Sequence, residues 1–223
     1  MSRYAIYCLP DGAFGRQGAE WLGWDVAAAR HVATAAAPAE WTETPRRYGF
    51  HATLKPPFRL AEGKTLAALH AALTTLAAQL APAAADRLVP RSLGQFVAFR
   101  PEGGSDLPRV AAACVEGLDA FRRPAEQAEI ARRRSAGLTA RQDAMLARWG
   151  YPYVFEEFHF HITLSGRVAD TDAVIAAARA HFTPPQPFRL DSLALCEERD
   201  GGFALLHRYD LTGESASSAS VTA

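Results

Sequence analysis

The sequence predicts an α+β chain of two similar lobes related by an approximate twofold, with antiparallel sheets lining a central cleft and helices outside. Three observations lead there. A five-residue phrase occurs twice, as Phe50-His51-Ala52-Thr53-Leu54 and as Phe160-His161-Ile162-Thr163-Leu164, 110 positions apart. Each copy precedes a helical stretch and then strand-like stretches, so the duplication extends to lobes. Gly-containing turns between those strands, above all Asp200-Gly201-Gly202, favour hairpins and therefore antiparallel pairing. Residues 1–212 are expected to form this single bilobal domain. Residues 213–223, rich in Ser, Ala and Thr without large apolar anchors, are expected to be a disordered tail.

Taken in order, 4–9 is aromatic and β-branched and ends in Pro10-Asp11-Gly12, which reads as a strand entering a turn. A short helix over 13–22 follows, then a poorly patterned stretch to Pro45 that reads as loop or weak helix. The first phrase is a strand, expected to stop at Lys55-Pro56-Pro57 because proline cannot donate to a ladder. Leu66, Leu69, Leu73, Leu76 and Leu80 repeat at helical spacing and mark one face packed on a sheet. Strands are expected over 87–89 and 95–100, around Ser92-Leu93-Gly94 and closed by Pro101-Glu102-Gly103-Gly104. Asp106 is expected to cap a helix whose stripe is Leu107, Val110, Cys114, Leu118 and Phe121. Helices over 126–134 and 140–149 follow, the second opened by a Thr139/Gln142 capping box and stopped by Gly150. After the second phrase come a helix over 171–181 and a hairpin of 188–197 with 203–211.

Composition narrows the function. Lys plus Arg and Asp plus Glu number 24 each, so no global positive field exists to hold a long polyanion, and bulk nucleic-acid binding is not expected. A small anion needs only a local cluster of donors. Three widely spaced cysteines suggest neither a disulfide framework nor a zinc ribbon and fit a reducing cytoplasm. The apolar run before Asp11 is too short for a secretory signal, and 65–85 is interrupted by polar residues and Pro82, so no membrane span is expected.

In an extended strand the His and Thr of each phrase share one face, while Phe and Leu take the other. One such strand is ordinary, but two in matched settings suggest a cleft holding two imidazoles and two hydroxyls. Histidine titrates near neutral pH, so one copy can accept a proton while the other delivers one, and hydroxyls can hold nonbridging phosphoryl oxygens. That combination suits displacement at phosphorus without a metal or other cofactor.

The paired His-x-Thr strands resemble the two-histidine (2H) phosphoesterase superfamily of cyclic phosphodiesterases and RNA 2′,3′-cyclic-phosphate processing enzymes. More narrowly, the run from Pro45 to Phe58, with Trp149-Gly150-Tyr151-Pro152-Tyr153-Val154 and the second phrase, resembles proteins of phosphonate metabolism associated with carbon-phosphorus lyase gene clusters. The resemblance implies a bilobal fold, catalytic roles for His51, Thr53, His161 and Thr163, and a small phosphoester as substrate, of the cyclic nucleotide or ribose cyclic phosphate type. The alternatives are a noncatalytic phosphometabolite-binding module and an RNA end-processing enzyme.

By strand parity Arg47 and Lys55 are expected beside the phosphate, and Tyr48, Tyr151 or Tyr153 could stack on a base or sugar. The Arg132-Arg133-Arg134 run reads as a solvated helix end. His159 shares parity with His161 and invites a metal reading, but a catalytic metal site usually needs a third protein ligand, and that use would leave the paired threonines without a purpose.

Overall fold

A computed structural model of the chain describes residues 2–34, 36–135 and 137–214. The described elements, in chain order, are β1 (Tyr4–Cys8), α1 (Gly12–Leu22), β2 (Trp24–Asp25), β3 (Arg30–His31), α2 (Ala39–Arg46), β4 (Ala52–Phe58), α3 (Leu66–Gln79), β5 (Ala83–Leu93), β6 (Phe96–Ser105) and α4 (Leu107–Gly117). They continue with α5 (Gln127–Arg134), α6 (Ala140–Trp149), β7 (Ile162–Thr163), α7 (Thr171–His181), β8 (Phe188–Leu190), β9 (Ser192–Arg199) and β10 (Gly202–Asp210).

Helices with strong local signals form where expected. The Thr65 hydroxyl accepts from Ala68 N at 3.1 Å and opens α3. The Thr139/Gln142 box closes both ways, at 3.1 and 3.2 Å, and Gly150 ends α6 in the left-handed conformation. Asp106 departs from expectation: its carboxylate accepts from Ala84 N at 2.6 Å and ties α4 to β5, with no cap bond to its own helix. Helix α2 lies where a loop or weak helix was expected.

Eight strands form one antiparallel sheet in the order β10-β9-β1-β4-β7-β6-β5-β8. Two sheets were expected; a single sheet results because Ala52 of β4 pairs with Ile162 of β7. The lobes are its two halves, meeting at that pair. The hairpins, however, are exchanged. β5 and β6 follow the first phrase yet lie beside β7, while β9 and β10 follow the second yet reach the first half through β1. The stretch 188–197, expected as one strand, divides at Asp191: β8 joins β5 and β9 joins β1.

Two strands outrun their expected stops. β4 continues through Pro56 and Pro57 because the register against β1 slips there: Ile6 faces Lys55 but Tyr4 faces Phe58, so the prolines fall in a bulge that demands no donor. β6 continues past Pro101 to Ser105, paired with β5 on one side; its recorded partners on β7 are opposite Ala98 and Phe99 only.

One face of the sheet is the main core. Phe50, Ala52, Leu54, Phe160, Ile162 and Leu164 sit there with Phe14 and Trp21 of α1, Leu69 and Leu73 of α3, Val110 and Cys114 of α4, and Val174 of α7. The helices therefore lie against this face, leaving the other to the polar residues of the phrases. That second face carries a smaller cluster of Ala5, Tyr7, Trp24, Val26, Cys196 and Phe203 to one side. All three cysteines are buried and free, their thiols pushed up to about 12 by burial. No helix among the described residues is long and apolar enough to cross a membrane. At the start of the expected tail Gly213 N donates to Leu80 O at 3.0 Å, next to Thr212 N on Ala77 O at 3.2 Å. Residues 215–223 lie outside the described residues.

Candidate active site

The register of Ala52 against Ile162, extended one residue each way, sets His51 opposite Thr163 and Thr53 opposite His161. The four side chains thus form a quadrilateral on the face away from the helices, with the histidines at diagonal corners. Diagonal neighbours of this kind stand roughly 7–8 Å apart, enough to admit a phosphoryl group between them.

Both imidazoles are anchored alike. His51 Nδ1–H donates to the carbonyl of Gly49 at 2.9 Å, and His161 Nδ1–H to that of His159 at 2.7 Å, each two residues back. A carbonyl can only accept, so each bond fixes the tautomer and leaves Nε2 as the basic nitrogen. Gly49 holds its carbonyl in place at φ +70°, and a Cβ there would stand 2.1 Å from Val26 Cγ2, so the anchor requires glycine. At the far end of the second phrase Ser165, 1% exposed, accepts from Val97 N at 3.0 Å and donates to Gly166 O at 2.9 Å.

The surroundings then diverge. His51 lies against the Tyr7 ring, centroids 3.8 Å apart, and the Thr53 hydroxyl donates to its Nε2 at 3.1 Å. Burial is the main cause that lowers its pKa from 6.5 to about 4; the Gly49 carbonyl opposes this and the charge of His161 adds to it. His161 is flanked by Phe96, centroids 6.3 Å apart. Its pKa is also lowered, first by burial, against the pull of the His159 carbonyl, with the charges of Arg100 and His159 adding.

Of the expected substrate-binding residues, Tyr48 lies by the cleft: its ring is 6.3 Å from His51 and stacked on Phe203 at 5.7 Å. Tyr48, His51, Phe96 and Thr163 line a cavity of about 290 Å³ with Arg167 also in its wall. Arg47 caps the end of α2 and is not in a strand, so parity does not govern it; it pairs with Glu198 at 2.7 Å. Tyr153, 43% exposed, packs edge-on against Tyr151 at 5.7 Å and does not line that cavity.

Lys55 is a correction. Opposite Thr53 stands Tyr7, but opposite Lys55 stands Ile6, so one residue of β1 spans two of β4 and Leu54 sits in a bulge. The bulge reverses the parity and turns Lys55 to the core face. There it is 2% exposed, and its ammonium donates to Val115 O near the end of α4 at 3.0 Å, 4.0 Å from Asp119. Burial lowers its pKa from 10.5 to about 8, opposed by Asp119.

Tyr7 and Arg100 were not anticipated. Tyr7 pairs with Thr53 on one flank; on the other, Ala98 of β6 faces Thr163, which puts Arg100 across from His161. The alternation of Phe96, Ala98 and Arg100 against buried Val97 and Phe99 was a usable signal, but only once β6 is known to lie beside β7. His159 is exposed, and no group of three His, Cys, Asp or Glu among the described residues is placed to hold a metal ion.

Two curated relatives carry the name ribose 1,5-bisphosphate phosphokinase PhnN. The protein of Laribacter hongkongensis (strain HLHK9) is 40% identical over 211 residues, covering 91% of this chain and 50% of that protein. That of Janthinobacterium sp. (strain Marseille) is 37% identical over 234 aligned positions, covering 96% and 52%. The chain therefore spans about half the length of the curated relatives it matches. Among solved structures, the crystal structure of TT0787 of Thermus thermophilus covers 96% of this chain and all of that one, at 16% identity and a TM-score of 0.48. The family model described as protein of unknown function (DUF1045) matches residues 53–205, and the chain belongs to that family.

Proposed function

We propose that the chain is a metal-independent phosphodiesterase of the two-histidine type that hydrolyses a small cyclic phosphate. The observation that carries this reading is the doubled anchor: two imidazoles at diagonal corners, each with Nδ1–H on a carbonyl and Nε2 on the face shared with two threonines. Neutral His51, its pKa lowered to about 4, is the base. When the Thr53 hydroxyl turns from Nε2 to a phosphoryl oxygen, that nitrogen can take a proton from water. The water oxygen attacks phosphorus, the ring P–O bond breaks, and His161, protonated in the substrate complex, gives its Nε2 proton to the leaving oxygen. Thr53 and Thr163 hold the nonbridging oxygens as charge develops.

The names of the relatives point to ribose phosphates, and the resemblance to phosphonate-metabolism proteins agrees; a ribose cyclic phosphate or a 2′,3′-cyclic nucleotide is the substrate class we favour. We assign the kinase activity in those names to the part of the relatives that this chain does not match. Gly63-Lys64-Thr65 has the tail of a phosphate-binding loop, but Phe58 stands where its opening glycine is needed, and Thr65 is spent capping α3.

The test is turnover, with chelator present, of 2′,3′-cyclic nucleotides, ribose cyclic phosphates and linear phosphodiesters, beside His51→Ala and His161→Ala. Cleavage that both substitutions abolish is expected. Saturable binding without turnover would instead make the chain a phosphometabolite-binding module.

A further inference from the structure

Among the described residues the arginines around the cleft face are mostly committed. Arg87 and Arg91 share Glu102, Arg3 and Arg47 share Glu198, and Arg133 pairs with Glu129 at 2.9 Å. Arg100 differs. It is half-buried, its Nε is buried without a hydrogen-bond partner, and no ion pair or side-chain hydrogen bond is recorded for its guanidinium. Arg133 shares the orphaned Nε, but its guanidinium is bonded to Glu129 and lies 5.0 Å over the Tyr151 ring.

A cation held partly out of water with no counter-charge is costly, and the cost is relieved when an anion supplies the missing acceptors. The place is specific. Extending the pairing of Ala98 with Thr163 sets Arg100 directly across from His161, on the face that carries all four His and Thr side chains. We propose that Arg100 is a substrate-binding residue of this cleft, its planar guanidinium receiving two oxygens of a phosphoryl group beside His161. This rests on the phosphodiesterase reading for its consequence but not for its test. The fork of an arginine matches two phosphoryl oxygens, which a lysine does not.

Arg100 also bears on His161, whose neighbours include His159 and, diagonally, His51; its positive charge disfavours the imidazolium. A bound phosphoryl group would offset that charge and let His161 keep its proton to higher pH in the complex than in the free protein.

The experiment is a titration of the chain with inorganic phosphate, read by calorimetry and by the His161 ring-proton resonance, for wild type, Arg100→Gln and Arg100→Lys. Arg100→Gln is expected to weaken phosphate about tenfold to a hundredfold, the worth of one charged hydrogen bond or somewhat more. The midpoint of His161 in the free protein should rise. Arg100→Lys should keep most of the depression of that midpoint yet bind phosphate more weakly than wild type. Phosphate affinity within twofold of wild type in folded Arg100→Gln, with His161 unmoved, overturns the proposal, as does a wild type that binds no phosphate. If Arg100→Gln does not fold, Arg100→Lys decides on affinity alone. Phosphate binding that depends on Arg100 in a protein that cleaves no phosphodiester leaves this site standing and removes the hydrolase reading.

Discussion

The two copies of the phrase share one anchor and little else. In the first, His51 is pressed on Tyr7 and its Nε2 already holds the Thr53 hydroxyl. In the second, His161 shows no recorded bond at Nε2 among the described residues and stands across from Arg100. Their strands differ too: β4 spans seven residues and β7 two. The repeated phrase sets the anchors, while the flanking strands set the surroundings of each ring. Two imidazoles in identical surroundings would carry no built-in preference for which accepts a proton and which delivers one.

The largest test of that division is removal of either ring. His51→Ala and His161→Ala should each lower kcat by about 10²- to 10⁴-fold, and the double variant should fall far short of the product of the two, because the groups act in one step. Single-turnover rates with cyclic phosphates would measure this. Next come the hydroxyls. Thr53→Val and Thr163→Val should each cost roughly 10- to 10³-fold in kcat. Only Thr53→Val should also shift the His51 resonance of the free protein, since only that hydroxyl is bonded to a ring at rest.

The pH profile sharpens the comparison without mutation. As the proposed base His51 must be neutral, so kcat/KM should fall as pH drops through about 4. As the proposed acid His161 must deliver a proton, and its pKa is lowered, so the alkaline limb of kcat/KM should lie below the ordinary value of 6.5. An optimum on the acid side of 6.5 is the expected result, and an optimum near 8 would break the assignment.

Smallest is Lys55→Met, which should leave turnover unchanged because the bulge at Leu54 turns the side chain to the core. Stability should be unchanged or higher by about 1–4 kcal/mol, as Asp119 keeps Arg122 and Arg148. A group whose pKa is lowered on folding binds fewer protons folded than unfolded between the two values. Wild type should therefore gain stability relative to the variant as pH rises from about 8 to 10.5, which denaturant midpoints would show.

What the sequence made legible was local. The capping box at Thr139, the leucine stripe of α3 and the inside-outside alternation of both phrases each depend on a few adjacent residues. Helix α2 was obscured by Pro45 and a weak apolar pattern. Lys55 and Arg100 were misjudged or missed because their facing depends on a neighbouring strand: the slip of β1 past Leu54 in one case, the placing of β6 beside β7 in the other. Single-strand parity cannot see either.

The exchanged hairpins make the molecule interlaced. Cutting the chain between α5 and α6 would separate the β5–β6 hairpin from the β7 that β6 pairs with, and β1 from its neighbour β9. Neither fragment would hold a finished half-sheet, so activity should return only when the two are mixed. The repeated phrases thus do not mark two independent folding units: a change in either repeat is felt in the walls around the other.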